Sequence, residues 1–495
     1  MTSQTLSPSL ISLIQKHNLD ISIVEAKSLL NGTRIDAEHY QLDYLDFRKK
    51  FDHLNQSTFW AIVERKVTTG HTPSMKDESF YGWDVKFIKT DNLRENEIKP
   101  DFSHFLSDKW NAILAKTTLK EWDIIVTIIW ATYEIVWRTA MIDKTLLPAN
   151  INQNVALIRV NPSKVNPYYI NVFLNSKYGK LCLHSMARQT EQVNLNCTEI
   201  ENIPLPLPSP SFQSSIASLV QTAHSEREKS KSLYAEAEKI LLDELGLTDW
   251  KPTEENIDIK TSEEVRLFGR CDAEFFQPKY DELIENIKKF PHKTISELSS
   301  VVWHPSNPPY SDNVDRKEKT YILTQKHLGE FYPRDNFWED EDALFTTDDF
   351  LYNNKKYILR KDDLILYSVW AYIWKTNIYN LDTPAIIWSF VTLIRPKKEL
   401  IDSYYFMMFM NSWVGIELTR RNQRWLAQQY IYPYDIREQI IPILSPAIQS
   451  KISSLIVSSH EARTRSKELL ERAKRAVEIF VEEDEETAKK LFDIS

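Results

Sequence analysis

The chain repeats itself once, and that constrains its fold more than any other feature. IDAEHYQLDY, beginning at Ile35, matches CDAEFFQPKY, beginning at Cys271, at an offset of 236 residues. The same offset aligns NPYYINVFLNSKYG with DSYYFMMFMNSWVG, pairing Tyr168 with Tyr404, Asn175 with Asn411 and Gly179 with Gly415. It also aligns PLPSPSFQSSIASLV with PILSPAIQSKISSLI, pairing Pro210 with Pro446 and Gln213 with Gln449. One register held across three separate segments describes two copies of one large unit rather than a short-period solenoid.

Each copy has the same internal plan. Residues 60–205 and 300–441 mix short β-rich runs (VKFIKT, DIIVTII, NVALIRV; TYILTQ, DLILYSV, SFVTLIR) with helical stretches, which predicts a mixed α/β domain. A proline-rich exit, IPLPLPSPS or IIPILSP, then breaks regular structure. Long helices are expected over 211–245 and 447–480. Ile216, Val220 and Ala223, then Tyr234, Ala237 and Leu241, on the first, and Ile448, Ile452 and Leu455, then Leu469, Ala473, Ala476 and Phe480, on the second, recur at spacings of three and four. Stripes that narrow suit helices paired in a coiled coil. A 35-residue helix spans about 52 Å, the length of a spacer.

Gly246 stands at a helix C-cap position, and the acidic stretch after it reads as an exposed connection. EEDEE, residues 482–486, reads as a solvated helix end. The division expected is a helical extension over 1–33, domains over 34–209 and 270–445, a spacer helix over 210–246, a linker over 247–269, and a second spacer with an acidic tail over 446–495.

No apolar run approaches the ~18 residues of a membrane span, and the N-terminus lacks the pattern of a signal peptide, so a cytoplasmic protein is expected. Three cysteines without CxxC spacing suggest reduced thiols, with neither a disulfide framework nor a metal site.

The plan, with IPLPLPSPSFQSSIASLV at its junction, resembles the specificity subunit of type I restriction-modification enzymes. VTTGHTPS, FIKTDNLR, NINQNVALIR, YYINVFLNS and QVNLN match further pieces of that family in order. The resemblance implies two tandem target-recognition domains in an α/β mixed fold, each followed by a long helix, the two helices pairing antiparallel. It implies double-stranded DNA as ligand, and as partners two methylase subunits and restriction subunits, docked on the long helices with Ile216, Val220, Tyr234, Leu241, Ile452, Leu455, Leu469 and Phe480 as candidate docking residues. S-adenosylmethionine would belong to the methylase, leaving this chain without a cofactor or catalytic residues.

Composition departs from that family at one point. Glycine occurs 8 times and tryptophan 14 times, where average usage predicts about 35 glycines. Trp122, Trp130, Trp137, Trp303, Trp370, Trp374, Trp388 and Trp425 fall where the family pattern carries glycine, as in WAYIWK for a turn like GATIGK. We read these eight as glycines of the native protein, decoded through a genetic code that takes UGA as tryptophan. Only glycine accepts positive φ without steric cost, so a tryptophan in such a turn would be strained.

NPPY, at Asn307–Tyr310, is the tetrapeptide by which N6-adenine methyltransferases hold a target amino group, so a methyltransferase or fused restriction enzyme is the alternative. A coiled-coil adaptor that reads no sequence is a third reading. NPPY here follows HPS in a loop, without a glycine-rich cofactor loop upstream, and no Walker loop, HExxH or nuclease cluster accompanies it.

The net charge of −9 weighs against phosphate binding unless basic residues cluster, as Lys451, Arg463, Arg465, Lys467, Arg472, Lys474 and Arg475 do along the second long helix. Base edges are read by amide, guanidinium, ammonium and hydroxyl groups. The candidates are Thr72, Ser74, Lys86, Lys89, Arg94, Arg188 and Gln192 in the first copy, and Ser306, Asn307, Arg424 and Gln428 in the second.

Overall fold

The computed structural model describes residues 16, 37–74, 78–130, 135–189, 193–253, 257–311, 319–340, 342–369, 374–425 and 429–492. The expected extension over 1–33 (save residue 16), Gln192, Gln428 and Trp370 lie outside them. The chain divides into two compact units, Met1–Glu226 with Arg465–Ser495, and Arg227–Thr464. Both boundaries fall inside the long helices.

In the first unit α1 (Leu42–Phe51) precedes a four-stranded antiparallel sheet of β1 (Thr68–Thr69), β3 (Ile124–Thr127), β4 (Thr139–Met141) and β6 (Val155–Ile158), in the order β1-β6-β3-β4. A second layer pairs β2 (Tyr81–Ile88) in parallel with β5 (Ala149–Ile151). Every residue of β3 and β6 is buried, as their unbroken β-branched and aliphatic runs require. Two helices, α2 (Pro167–Asn175) and α3 (Lys177–Met186), close the core on Phe51, Tyr169 and Phe173.

Helix α2 starts where Asn166 Oδ1 accepts from Tyr168 N at 2.9 Å, with Pro167 preset for the first turn. Helix α3 starts on Ser176 Oγ, which accepts from Gly179 N at 3.3 Å. A Cβ on Gly179 would lie 2.0 Å from the Phe173 carbonyl oxygen, so the close approach of the two helices demands glycine. The chain continues through a small antiparallel hairpin of β7 (Arg188–Gln189) and β8 (Val193–Asn194), a short helix α4 (Cys197–Glu201), and the spacer α5 (Pro210–Glu244).

The second unit repeats these choices. After α6 (Pro278–Lys288) come β9 (Ser299–Trp303), β11 (Leu364–Tyr367), β12 (Thr376–Ile378) and β14 (Val391–Pro396) in the order β9-β14-β11-β12. β10 (Tyr321–Leu323) pairs in parallel with β13 (Ala385–Ile387). Helices α7 (Ser403–Asn411) and α8 (Trp413–Arg421) meet over Gly415, whose Cβ would likewise fall 2.0 Å from the Phe409 carbonyl. Then follow the hairpin β15 (Arg424–Trp425) and β16 (Gln429–Tyr430), helix α9 (Pro433–Ile436) and the spacer α10 (Pro446–Glu482).

A buried ion pair braces each four-stranded sheet. Arg159 donates to both oxygens of Asp123 at 2.7 and 2.6 Å, and Arg395 to both oxygens of Asp363 at 2.8 and 2.7 Å. Spare guanidinium protons go to the carbonyls of Thr118 in one and of Lys356 and Ile358 in the other. Paired and fully hydrogen-bonded, such charges are tolerated inside a protein.

Within the first unit Ser466 Oγ donates to Ala223 O at 2.7 Å and Phe212 packs on Phe480. Within the second, Ser459 Oγ donates to Ser230 O at 2.7 Å, and Ala237 and Leu241 share a core with Ile452 and Ile456. In each unit rising numbers on α5 meet falling numbers on α10, so the segments run antiparallel.

Of the stripe residues, Ile216, Val220 and Phe480 join the first domain's core, Tyr234, Leu241, Ile452 and Leu455 the second's, and Leu469 is also buried. A stripe read as pairing helices therefore serves helix-to-domain packing as well. EEDEE lies at the exposed end of α10, with one contact the sequence did not show: Glu485 accepts from Ser209 N at 2.8 Å, and also from its hydroxyl, at the entry to α5. Gly246 has φ 66°, and Leu247 N reaches back to Leu242 O at 2.8 Å, a left-handed helix end. Among the described residues no helix is long and apolar enough to cross a membrane.

The glycine reading of the tryptophans meets a mixed outcome. Trp122 has φ 69° and is exposed, as a glycine site would be. The other described positions, Trp130, Trp137, Trp303, Trp374, Trp388 and Trp425, have no positive φ, so the backbone argument fails there. Trp303 sits in an ordinary antiparallel strand opposite Leu393, and Trp130 opposite Val193. Gly70 shows a different need for glycine: its Cβ would fall 1.8 Å from Ile151 O, while the sheet register makes Thr68, opposite Leu157, the counterpart of Trp303.

Candidate nucleic-acid interface

Each long helix is tied to its domain by one glutamine. Gln213 Oε1 accepts from Asn166 N at 2.9 Å while its Nε2 donates to Pro208 O at 3.0 Å. Gln449 does the same with Asp402 N at 3.0 Å and Leu444 O at 2.9 Å. Tyr169 and Tyr405 hydroxyls donate to Pro206 O and Pro442 O in the same proline-rich exits. The direction in which each helix leaves its domain is therefore set by paired hydrogen bonds at matching positions.

In the first unit the structure brings together three of the candidates. Thr72 and Ser74 follow β1, and the Tyr81 hydroxyl donates to the intervening Pro73 carbonyl at 3.2 Å. Tyr81 packs against His104, to whose Nδ1 Lys89 Nζ donates at 2.7 Å. Burial lowers both groups from their ordinary values, which suits a neutral imidazole accepting from an ammonium. Lys86 stands on the same strand as Lys89's approach, half-buried, with Nζ 3.5 Å from the Thr145 and Leu147 carbonyls.

Arg94 does not join this group. Its guanidinium donates to Leu93 O and Asp91 O in its own hairpin. The adjoining Glu95 bridges Lys180 at 3.0 Å and Lys474 at 2.9 Å, which places that hairpin against α3 and the C-terminal part of α10. Burial works to raise the Glu95 carboxyl, but the two ammonium groups outweigh it and hold it below its ordinary range.

In the second unit Ser306 and Asn307 are exposed, and Asn307 Oδ1 accepts from Ser389 Oγ. The chain from Ser389 leads to Phe390, whose carbonyl accepts from Ser368 N at 3.2 Å. The Ser368 carbonyl in turn accepts from Ile431 N at 2.9 Å, beside the β15–β16 hairpin. Arg424 on that hairpin donates to both oxygens of Asp435 at 2.8 and 2.7 Å. Asp435 also holds the Arg424 pKa above its ordinary value. Hydrogen bonds thus link the segment beside Asn307 to the hairpin that carries Arg424.

The NPPY segment begins at Asn307 itself. Thr346 Oγ1 donates to Pro309 O at 2.8 Å and Tyr310 stacks on Trp388 at 5.8 Å, so its carbonyl and ring are engaged within the domain.

Sequence reasoning missed how many cations carry an acidic partner. Arg188 pairs with Glu199 at 2.8 Å, the counterpart of Arg424 with Asp435. Arg463 is bound to Glu330, Lys474 to Glu95 and Glu471, and Arg475 to Glu478 and Glu482. Arg188 keeps 58% of its side chain exposed. A surface pair of that kind is worth under about 1 kcal/mol, so it can exchange its carboxylate for a phosphate.

Residues 62–238 match the family described as "Type I restriction modification DNA specificity domain". Among solved structures, the chain is similar to a type I restriction-modification system S subunit from M. genitalium, at 12% identity and TM-score 0.42, covering 90% of this chain and 98% of that one. It is also similar to an HsdS subunit from Thermoanaerobacter tengcongensis, at 14% identity and TM-score 0.29, covering 88% and 97%. A third similar chain comes from a study of complex assembly and conformational transition of the type I R-M system, at 15% identity and TM-score 0.29, covering 88% and 97%. No curated protein matches.

Proposed function

We propose, from the match of residues 62–238 to the type I restriction modification DNA specificity domain, that the whole chain is the sequence-recognition subunit of a type I restriction-modification complex. The observation that carries this reading is the recurrence of the domain's braces in the second copy: Gln213 and Gln449, Tyr169 and Tyr405, Gly179 and Gly415, each at the same 236-residue offset. A second copy with the same framework and different loops is a second reader.

On this reading residues 34–209 and 270–445 are two target-recognition domains, each reading one half of an asymmetric, split site in double-stranded DNA. Spacers α5 and α10 form an antiparallel coiled coil that sets the gap between the halves. Two methylase subunits dock on the helices and restriction subunits join through them. Since the apolar stripes are consumed in packing, docking falls to exposed polar positions such as Arg465 and Lys467.

The mechanism is selection and positioning. This chain fixes which adenine is presented, and its partners extrude and methylate it, since a base inside the duplex cannot be reached by an enzyme. S-adenosylmethionine is held by the methylase, and this chain contributes no catalytic group. The partners also supply part of the phosphate grip, which accommodates a net charge of −9. The assembly would work in the cytoplasm.

Removing one turn from α5 between Gln213 and Leu245, with the matching turn of α10, tests the reading. A turn rises 5.4 Å and a base pair about 3.4 Å, so the gap in the recognised site should shorten by about one or two base pairs with both half-sites unchanged. An unaltered gap contradicts the spacer role.

A further inference from the structure

The two copies place different chemistry on one scaffold. In the first, Ile128 N donates to Asn154 O at 2.9 Å and Leu195 N to Ile128 O at 2.9 Å. In the second, Ser368 N donates to Phe390 O at 3.2 Å and Ile431 N to Ser368 O at 2.9 Å. These hydrogen bonds make Asn154 the structural counterpart of Phe390, and Asn194 that of Tyr430. At the same offset Asn196 and Thr198 correspond to Tyr432 and Tyr434. Four amide or hydroxyl side chains are answered by four aromatic rings.

The rings form an ordered surface. Tyr430 and Tyr432 lie 4.2 Å apart between centroids, and Tyr432 and Tyr434 stack at 5.1 Å with planes 10° apart. The Arg424 guanidinium, locked by Asp435, sits 5.3 Å from the centre of Tyr434. Tyr434 remains 48% exposed and Phe390 44% exposed, and Ser389, next to Phe390, donates to Asn307. Rigid rings left in water next to a candidate binding loop mark a surface that becomes covered.

In duplex DNA the bases are stacked, and the apolar group the major groove offers is the thymine C5 methyl; G·C pairs offer none there. Amides such as Asn154 and Asn194 suit the paired donor and acceptor of adenine instead. Resting on the DNA-reading role above, we propose that the second copy reads its half-site through thymine methyl groups packed against Phe390 and Tyr434, with Asn307 beside them for an adjoining adenine. The first copy reads its half-site by hydrogen bonds from amides and lysines, without dependence on methyl groups.

The test uses the full chain with its methylase on duplexes carrying the recognised site, each thymine replaced in turn by deoxyuridine, which lacks only the methyl. The half-site read by the second copy is the one whose recognition changes in Phe390→Asn, the first copy's residue. There, at least one deoxyuridine should weaken binding about fourfold, the effect of one buried methyl-sized group, and Phe390→Asn should bind thymine and deoxyuridine duplexes equally. A merely structural Phe390 would weaken both duplexes alike and keep their ratio. The proposal is overturned if specific binding occurs but no deoxyuridine in that half-site matters, if the half-site contains no A·T pair, if Phe390→Asn changes neither half, or if both halves lose equally. Absence of any sequence-specific binding would overturn the DNA-reading role itself and this inference with it.

Discussion

Replacing Gln213 or Gln449 by alanine removes the brace between a domain and its helix, and the structure sets the size of the effect. Each side chain is nearly buried, 7% and 6% exposed, and makes one hydrogen bond as acceptor and one as donor. Alanine leaves a backbone N–H (Asn166 or Asp402) and a carbonyl (Pro208 or Leu444) without partners. An unsatisfied buried polar group costs about 1–3 kcal/mol, so each variant should lose about 2–5 kcal/mol. For units of this size that is a fall in Tm of about 5–15 °C, read by differential scanning calorimetry and by urea titration at constant m-value. The same variants should blur the recognised gap, because the helix leaves the domain at a less defined angle. A loss below about 0.5 kcal/mol at both positions would refute the reasoning, since it would mean that water or the backbone itself meets those groups.

Glu485 predicts a pH dependence. Burial works to raise its carboxyl, but hydrogen bonds from Ser209 and Lys489 outweigh this and hold it below its ordinary value. Its contribution, about 1 kcal/mol as for a helix cap, is therefore fully present above the unfolded value near 4.3 and is lost as pH falls through the lowered folded value. The stability gap between the unaltered chain and Glu485→Gln, measured by urea titration, should be constant above about pH 6 and should narrow in acid. Trp122→Gly should stabilise the chain by about 1 kcal/mol, the relief of a left-handed backbone less the entropy cost of glycine. Peptide mass spectrometry of native material should find glycine at position 122, and tryptophan there would end the recoding reading.

Much of the fold was legible because the repeat fixes register: a match of Gln213 with Gln449 is already a match of two helix entries. The buried strands could be read from DIIVTII and DLILYSV, since unbroken β-branched runs have few other uses. The ion pairs Arg159–Asp123 and Arg395–Asp363 were not legible, because 36 and 32 residues separate partners that only the sheet brings together. Cations such as Lys474 read as available for phosphate because their carboxylates come from distant segments, as Glu95 does. The tyrosines at 430, 432 and 434 belong to no motif that the sequence singles out, and their meaning emerged when the hydrogen bonds of Ser368 and Ile128 matched them to Asn194, Asn196 and Thr198 of the first copy. The tryptophan argument failed at Trp303 for a similar reason: the sheet register, which places it opposite Leu393 as Thr68 lies opposite Leu157, is not visible in the local sequence.

The most direct measurement of the central claim is a strand-resolved map of N6-methyladenine in DNA from cells that express this chain, with glycine at position 122, together with a type I methylase. The account predicts methylation confined to one asymmetric split motif and lost when this chain is omitted. Methylation that persists without the chain, or that follows no split motif, would contradict it.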